Sequence, residues 1–145
     1  MRIEKATDAN LGPLAALALQ LWPEHEEAAL REEMVEILGK EEAAFFLAFD
    51  SERAIGFAQC QLRHDYVEGT ESSPVGYLEG IFIAESHRRQ GVAKSLLAAC
   101  EGWARERGCR EFASDCQLDN VQSLQFHLHL GFAEANRIIC FTKKL

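Results

Sequence analysis

Hydrophobic and polar positions in the first third of the chain follow the periods of one strand and two helices. Residues 2–5 alternate like a short strand, and the leucines and alanines of residues 11–21 recur at helical spacing. Because Pro23 interrupts this helix, a second helix is predicted from about residue 24 to residue 38. The residues of the second helix that are predicted to face inward are Ala28, Leu30, Met34, Ile37 and Leu38.

The middle of the chain has the two-residue period of strands. Residues 44–49 and 54–62 flank a polar turn and predict an antiparallel hairpin, and a fourth strand is predicted over residues 75–83. A helical period then continues to about Gly108, and residues 111–115 predict a fifth strand. A strand, a crossover helix and a strand in succession form a right-handed unit, so strands four and five should be parallel neighbours.

The last elements complete a mixed architecture. Residues 120–130 predict a shorter helix, and residues 132–145 are expected to supply a final hairpin. The whole pattern predicts an α/β (α+β) protein, with a mixed, mostly antiparallel sheet flanked by about four helices. A length of 145 residues fits one domain that spans residues 1–145.

Composition excludes several classes of protein. Hydrophobic residues make up 48% of the chain, which argues against disorder. No apolar run approaches the roughly 20 residues that cross a bilayer, so no membrane association is expected. The first residues, Met1-Arg2-Ile3-Glu4-Lys5, lack the apolar stretch of a signal peptide, so the expected location is the cytoplasm.

Cysteine usage and charge narrow the chemistry further. The 5 cysteines are an odd number without a C-x-x-C pair, which argues against a disulfide framework and against a zinc site. Most are expected to be small buried apolar side chains, and we expect no metal. The net charge of −8 disfavours binding to nucleic acid and suits a cationic substrate.

A short basic turn, Arg88-Arg89-Gln90-Gly91-Val92-Ala93, lies between the fourth strand and the following helix. The first amides of a helix have no intrahelical partner, and together with the helix dipole they favour a bound anion. Gly91 has no side chain to obstruct a phosphate. The turn therefore indicates a pyrophosphate site, although many surface turns have a similar composition.

Two segments resemble the signatures of the GNAT-type N-acetyltransferases. Arg88-x-x-Gly91-x-Ala93 resembles the acetyl-CoA loop of that superfamily, and Asn120-x-x-Ser123-x-x-x-His127-x-x-x-Gly131-Phe132 resembles its second signature. The resemblance implies that acetyl-CoA is the co-substrate. It also implies that the backbone around Ile81, Phe82 and Ile83 pairs with the pantetheine arm and directs an amide at the thioester carbonyl.

Acetyl transfer to an amine requires a group that removes a proton from the ammonium. Glu79 alternates with Tyr77 and Ile81 on one face of the fourth strand, and Asp115 ends the adjacent fifth strand, so both acids can open into one cleft. The structural alternatives are an ion pair between Glu79 and an arginine such as Arg137, and a helix or turn cap for Asp115.

Two polar residues of the second signature have open roles. Asn120 begins the helix after the fifth strand, where its amide can cap the helix, bind the pantetheine arm, or do both. His127 stands where the superfamily usually has the tyrosine that protonates the departing thiolate. Its imidazolium can supply that proton, water can, or His127 only lines the pocket.

A closer resemblance extends over the whole chain. The segment from Arg63-x-x-Tyr66 through Ser73-Pro74-Val75-Gly76-Tyr77-Leu78-Glu79-Gly80-Ile81, together with Trp22-Pro23 and Ala113-Ser114-Asp115, resembles the aminoglycoside 6'-N-acetyltransferases, which are resistance enzymes. This family is often homodimeric through C-terminal strands, so a homodimer is expected. The rival hypotheses are an acetyltransferase for a polyamine, metabolite or protein amine, and a non-catalytic acyl-CoA-binding module.

The resemblance assigns the candidate site residues in three groups. The proposed catalytic residues are Glu79, Asp115 and His127. The aminoglycoside would contact Trp22, His25, Tyr66, Glu79, Asp115 and Asn136, the last at a position where relatives often carry an acid. Acetyl-CoA would contact Ile81, Phe82, Ile83, Arg89, Gln90, Gly91, Val92, Ala93, Lys94 and Asn120.

Overall fold

A five-stranded sheet organises the chain, which a computed structural model describes over residues 1–145. The strands lie in sequence order, and every neighbouring pair is antiparallel except β4 and β5, which are parallel. The predicted mixed, mostly antiparallel sheet is therefore confirmed. The strands are β1 (Arg2–Lys5), β2 (Ala43–Asp50), β3 (Arg53–Arg63), β4 (Val75–Ile83) and β5 (Phe112–Ala113).

Four α-helices accompany the sheet, as predicted: α1 (Leu11–Leu21), α2 (Glu27–Leu38), α3 (Val92–Glu106) and α4 (Val121–His129). Short 3₁₀ turns precede α1 and α3. The helix α2 begins later than predicted, because residues 22–26 form the corner that follows α1. Its buried residues are Leu30 and Met34, whereas Ala28 is exposed, since it lies about 200° round the helix from Leu30.

The sheet separates two apolar cores. The helix α3 covers one face with the predicted stripe of Val92, Leu96, Cys100 and Trp103, all buried. The helices α1 and α2 cover the other face, where Leu14, Leu30, Phe45 and Phe57 are buried. Burial of these side chains on both faces of the sheet places β4 between two packed layers. One backbone edge of β4 pairs with β3, and only the edge on the β5 side has unpaired backbone groups. None of the helices has the length and apolar character needed to span a membrane.

β5 is shorter than the predicted 111–115 strand, because it diverges from β4. The two strands pair only at Gly76↔Phe112 and Tyr77↔Ala113. Beyond this point they form a fork, and the β4 edge from residue 78 to residue 83 has no strand beside it on this side. The register of β4 on β3 shifts opposite Gln59 and Cys60, which leaves Glu79 as an extra, bulged residue.

The predicted hairpin over residues 132–145 is wrong, since no residue of this segment forms a strand. Its apolar side chains are exposed, including Ile138, Ile139 and Phe141, of which Phe141 is 87% exposed. A segment rich in β-branched and aromatic residues is predicted to be a strand, but a strand forms only when its backbone can pair with another strand. This segment pairs with no edge of the sheet, and Cys140 is exposed as well.

Candidate active site

The basic turn after β4 forms a cradle of unpaired amides. Gly91 caps α3 in the left-handed region with φ 81°, and the first helical bond runs from the Ser95 amide to the Gly91 carbonyl. The amides of residues 89–94 donate no hydrogen bond within the protein. Arg89 also has a positive φ of 63°, a strained conformation for a residue with a side chain. The turn thus presents successive free donors at a helix N-terminus, as an anion requires.

Side chains behind this turn hold it in place. Arg88 Nε donates to the Ile83 carbonyl at 2.9 Å, and its guanidinium lies 5.6 Å from the centre of the Phe82 ring. His87 bonds Asp50 Oδ2 at the end of β2 through Nε2 at 3.0 Å. Arg88 and His87 are therefore anchors, while the exposed Arg89 is left to face a ligand. The contact between His87 and Asp50 is not predictable from the sequence, because nothing in the pattern connects residues 37 positions apart.

The open edge of β4 leads from the fork toward this turn. The side chains of Ile81 and Ile83 pack on the α3 side and that of Phe82 packs on the α1 side, which leaves the backbone edge of all three accessible. An extended arm can add to such an edge like a further strand. The open backbone edge of β4 and the free amides of residues 89–94 together suit a ligand in which a diphosphate is joined to a linear chain.

Glu79 faces the cleft and is paired with an arginine. Arg63 Nη2 lies 2.6 Å from Oε1 and 3.0 Å from Oε2 of Glu79. An arginine partner was anticipated, but the expectation of Arg137 is wrong, because Arg137 pairs with Glu134 in the exposed C-terminal segment. Ile81 does not share the face of Glu79 as predicted, because the bulge at Glu79 breaks the alternation.

Asp115 is linked to Glu79 through two intervening side chains. The Arg63 guanidinium lies 3.4 Å from the centre of the Tyr77 ring, and the Tyr77 hydroxyl donates to Asp115 Oδ2. Burial, followed by the hydrogen bond to Asp115, raises the pKa of Tyr77 above its usual value. Tyr77 therefore keeps its proton, and the acids lie at the two ends of a chain that runs Glu79, Arg63, Tyr77, Asp115.

A cavity of about 460 Å³ adjoins Glu79 on the α1–α2 side of the sheet. Trp22 and His25 line it from the corner between the helices, with their ring centres 6.2 Å apart. Glu33 and Glu36 of α2, which sequence analysis did not single out, add negative charge at its wall. Since these three glutamates outnumber the single lysine of the lining, Lys40, the cavity is acidic, and it has a flat aromatic surface. A larger open hollow of about 710 Å³ beside α1 contains none of the proposed catalytic residues.

Tyr66, on the loop before β4, and Asn136, in the C-terminal segment, both lie outside this cavity. Tyr66 is 74% exposed on the loop before β4. Asn136 Nδ2 donates to Glu68 Oε1 of the same loop at 2.9 Å, so the C-terminal segment rests against it. The structure therefore groups Trp22, His25 and Glu79, and it places Tyr66, Asp115 and Asn136 apart from the cavity wall.

Comparison with known proteins assigns this geometry to a family. The sequence model of the Acetyltransferase (GNAT) family matches residues 14–132. An aminoglycoside N(6')-acetyltransferase type 1 of Acinetobacter haemolyticus is 42% identical over 145 residues, which are 100% of this chain and 99% of that protein. A protein of the same name from Salmonella typhimurium is 44% identical over 144 residues, 99% of each chain. The chain belongs to the GNAT acetyltransferase family, in its aminoglycoside N(6')-acetyltransferase branch.

A solved member of this branch has nearly the same backbone. AAC(6')-Iy, in complex with the bisubstrate analogue CoA-S-monomethyl-acetylneamine, superposes with a TM-score of 0.95 at 43% identity, and the match covers 99% of this chain and 98% of that one. The motifs in the sequence predict both the superfamily and this branch, and both predictions are confirmed.

The signature residues of this acetyltransferase lie on α4. Asn120 Oδ1 accepts the Ser123 amide at 3.0 Å, so Asn120 caps the helix. The cap is Asn120 and not Asp115, which was the structural alternative for that acid. His127 is partly buried, and its ring is flanked edge-on by Phe126 and Phe132 at 5.9 and 5.3 Å between ring centres.

The thiols of this acetyltransferase are unsuited to nucleophilic catalysis. Cys60, Cys100 and Cys109 are buried, as expected for most of the cysteines. A hydrogen bond with Cys60, and then burial, raises the pKa of the Cys100 thiol. The two exposed thiols, Cys116 and Cys140, are not among the residues that line the acidic cavity.

Proposed function

We propose that this enzyme transfers the acetyl group of acetyl-CoA directly to the 6'-amino group of an aminoglycoside antibiotic and thereby confers resistance. The observation that carries this proposal is the juxtaposition of a cradle of unpaired amides, an open β4 edge and an acidic, aromatic-lined cavity. Aminoglycosides are flat-sided sugars that carry several ammonium groups, so they complement such a cavity in both charge and shape.

Acetyl-CoA is held by two parts of the backbone. The amides of Arg89, Gln90, Gly91, Val92, Ala93 and Lys94 receive the diphosphate, with the Arg89 side chain adding positive charge. The edge of Ile81, Phe82 and Ile83 pairs with the pantetheine arm, and a β4 amide donates to the thioester oxygen as charge develops there. Asn120 lies at the start of α4, where its Nδ2 is left for the arm while Oδ1 serves the cap.

The aminoglycoside occupies the cleft between the acids. Trp22 and His25 provide a flat surface for one sugar ring, Tyr66 approaches from the loop before β4, and Asn136 approaches from the C-terminal segment that contacts this loop. Asn136 accepts hydrogen bonds without the charge of an acid, so this position attracts an ammonium less strongly than a carboxylate would.

The ammonium loses its proton to Glu79 or Asp115, directly or through water. Both carboxylates already accept a hydrogen bond, from Arg63 and Tyr77 respectively. A water molecule between the two carboxylates can therefore take the proton of the ammonium without breaking either hydrogen bond. Exchanging each acid for its amide and comparing the pH–rate profiles assigns the role, because the substitution that leaves the rate and profile unchanged marks the acid that does not carry the proton.

A homodimer formed through the C-terminal segment belongs to this proposal. The apolar side chains of Ile138, Ile139 and Phe141 are exposed in a segment that pairs with no strand of the single chain, and a second copy would cover them. Light scattering after gel filtration should give twice the mass of 16.3 kDa. A monomer at micromolar concentration would contradict the dimer without affecting the chemistry. The enzyme is proposed to act in the cytoplasm, where acetyl-CoA is available.

The deciding experiment measures thiol release from acetyl-CoA with different acceptors. Kanamycin and tobramycin should be turned over with far higher kcat/KM than spermidine or a lysine peptide. Preference for spermidine would favour a polyamine acetyltransferase, which the same acidic cavity also fits. Tight binding of CoA without transfer to any amine would instead indicate an acyl-CoA-binding module.

A further inference from the structure

We propose that the Ser114 hydroxyl protonates the departing thiolate, and that His127 is the positioning residue that orients this hydroxyl and returns a proton to it. The inference rests on the proposed acetyl transfer and adds a residue to it. It follows from where Ser114 lies in the fork between β4 and β5, and from the way both nitrogens of His127 are engaged.

Ser114 lies at the vertex of the fork. The parallel ladder ends at Tyr77↔Ala113, so Leu78 and Ser114 are the first pair that no longer bonds through the backbone. The Ser114 Oγ is 3.5 Å from the Leu78 carbonyl, at the limit of a hydrogen bond. The open edge of β4 runs from here to Ile83, which at the rise of a strand is about 17 Å. An arm anchored at the amide cradle and extended along this edge has its far end at Ser114.

The hydrogen bonds of His127 fix which nitrogen carries the proton. Nδ1 lies 2.7 Å from the Ser123 carbonyl, which can only accept, so Nδ1 bears a hydrogen. Nε2 lies 2.8 Å from Ser114 Oγ. In the neutral ring Nε2 accepts, and the Ser114 hydrogen points at His127. In the imidazolium Nε2 donates to Oγ, and the Ser114 hydrogen is released toward the fork.

Neither nitrogen of His127 is free to reach a thiolate, because Ser123 covers one and Ser114 the other. A proton can leave the ring toward the fork only through the Ser114 hydroxyl. Tyr77 is the other hydroxyl close by, but its hydrogen is already donated to Asp115 Oδ2 and does not face the fork. Ser114 is therefore the donor that the geometry leaves available.

The step balances within these groups. The amine nitrogen forms its bond to the acetyl carbon and gives up one N–H proton to water or to the carboxylate that acts as base. The carbon–sulfur bond breaks, and sulfur keeps the electron pair. Sulfur takes the proton of Ser114 Oγ, Oγ takes the proton of His127 Nε2, and the ring becomes neutral. The ring then recovers a proton from solvent. The residues in contact with the ring are Ser114, which follows β5, Ser123 and Phe126 from α4, and Phe132, and none of them has an acidic or basic side chain.

Single-turnover acetyl transfer from acetyl-CoA to kanamycin as a function of pH tests the relay. Wild-type transfer should slow at alkaline pH as the imidazolium is lost. Ser114→Ala should reduce the rate constant by about 100-fold, the lower end of the range for a general acid, with unchanged affinity for CoA. Ser114→Thr should restore most of the rate. His127→Gln, which keeps an amide near Nε2 but cannot titrate, should abolish the alkaline decline.

The outcomes separate this inference from the proposed function. A wild-type enzyme that acetylates kanamycin, with a Ser114→Ala variant that keeps its rate and pH profile, overturns the role of Ser114 alone. If Ser114→Thr were as slow as Ser114→Ala, the loss would be structural and the inference would fail as well. A wild-type enzyme that acetylates no amine would overturn both.

Discussion

Replacement of Arg63 by alanine should both destabilise the enzyme and expose its acceptor carboxylate. Arg63 connects to Glu79 by bonds of 2.6 and 3.0 Å and lies 3.4 Å above the Tyr77 ring. The Glu79 side chain is only 16% exposed, so loss of its partner leaves a largely desolvated charge, whereas Arg63 itself is 40% exposed and partly screened.

The expected loss of stability combines these contacts. A hydrogen bond to a charged group contributes about 1.5–3 kcal/mol, which screening at Arg63 reduces to the lower end. The cation–π contact adds roughly 0.5–1 kcal/mol. Arg63→Ala should therefore cost about 2 kcal/mol of unfolding free energy, which lowers the Tm by about 4–8 °C in a domain of this size.

A double-mutant cycle with Glu79→Gln measures the coupling by urea unfolding. The double variant should lose less than the sum of the single variants, because once Glu79 is neutral Arg63 no longer stabilises a charge. Arg137→Ala is the matched control, since Arg137 and Glu134 form an exposed pair, and its Tm should equal that of the wild type. Additive single effects, or equal Tm values for Arg63→Ala and the control, would refute the idea that Arg63 holds Glu79.

Two further predictions address the acceptor wall and the alkaline limit of stability. Gly80→Ala would place a Cβ 2.7 Å from Trp22 Cζ2, so the indole must move by about 1 Å. The value of kcat/KM for kanamycin should then fall by about 10- to 100-fold, while the affinity for CoA is retained. The control is Gly102→Ala, at an open helical position, which should change neither quantity. If Gly80→Ala kept wild-type kcat/KM, Trp22 would not be a contact of the acceptor. Because the pKa of Tyr77 is raised in the folded protein, this tyrosine ionises first in the unfolded chain, so stability should decline as the pH rises above about 10. Thermal unfolding of Tyr77→Phe should show a smaller decline than the wild type. An identical decline in both proteins would exclude Tyr77 as its source.

The sequence predicted those features that depend on local periodicity. The bounds of α1 and β4 were predicted to the residue, because each has a strong period and a proline near one end, Pro23 after α1 and Pro74 before β4. The parallel pairing of β4 and β5 followed from the crossover rule. The amide cradle followed from a glycine at a strand-to-helix junction.

The features that sequence analysis missed depend on contacts between distant residues. The bulge at Glu79 leaves no mark in the alternation of β4 and is visible only in its register against β3. The choice of Arg63 over Arg137 as the partner of Glu79 is set by the neighbouring strand. The terminal hairpin failed for a related reason, since strand propensity at Ile138 and Ile139 cannot supply the edge that a strand must pair with.

Calorimetric titration with CoA and with pantetheine tests most directly whether the unpaired amides around Gly91 bind a diphosphate. Pantetheine lacks the diphosphate, so CoA should bind roughly 100-fold more tightly, the equivalent of one or two hydrogen bonds to a charged group. Gly91→Ala strains a position with φ 81° and should weaken the binding of CoA but not that of pantetheine. Equal affinity for the two ligands, or no binding of CoA, would contradict the account.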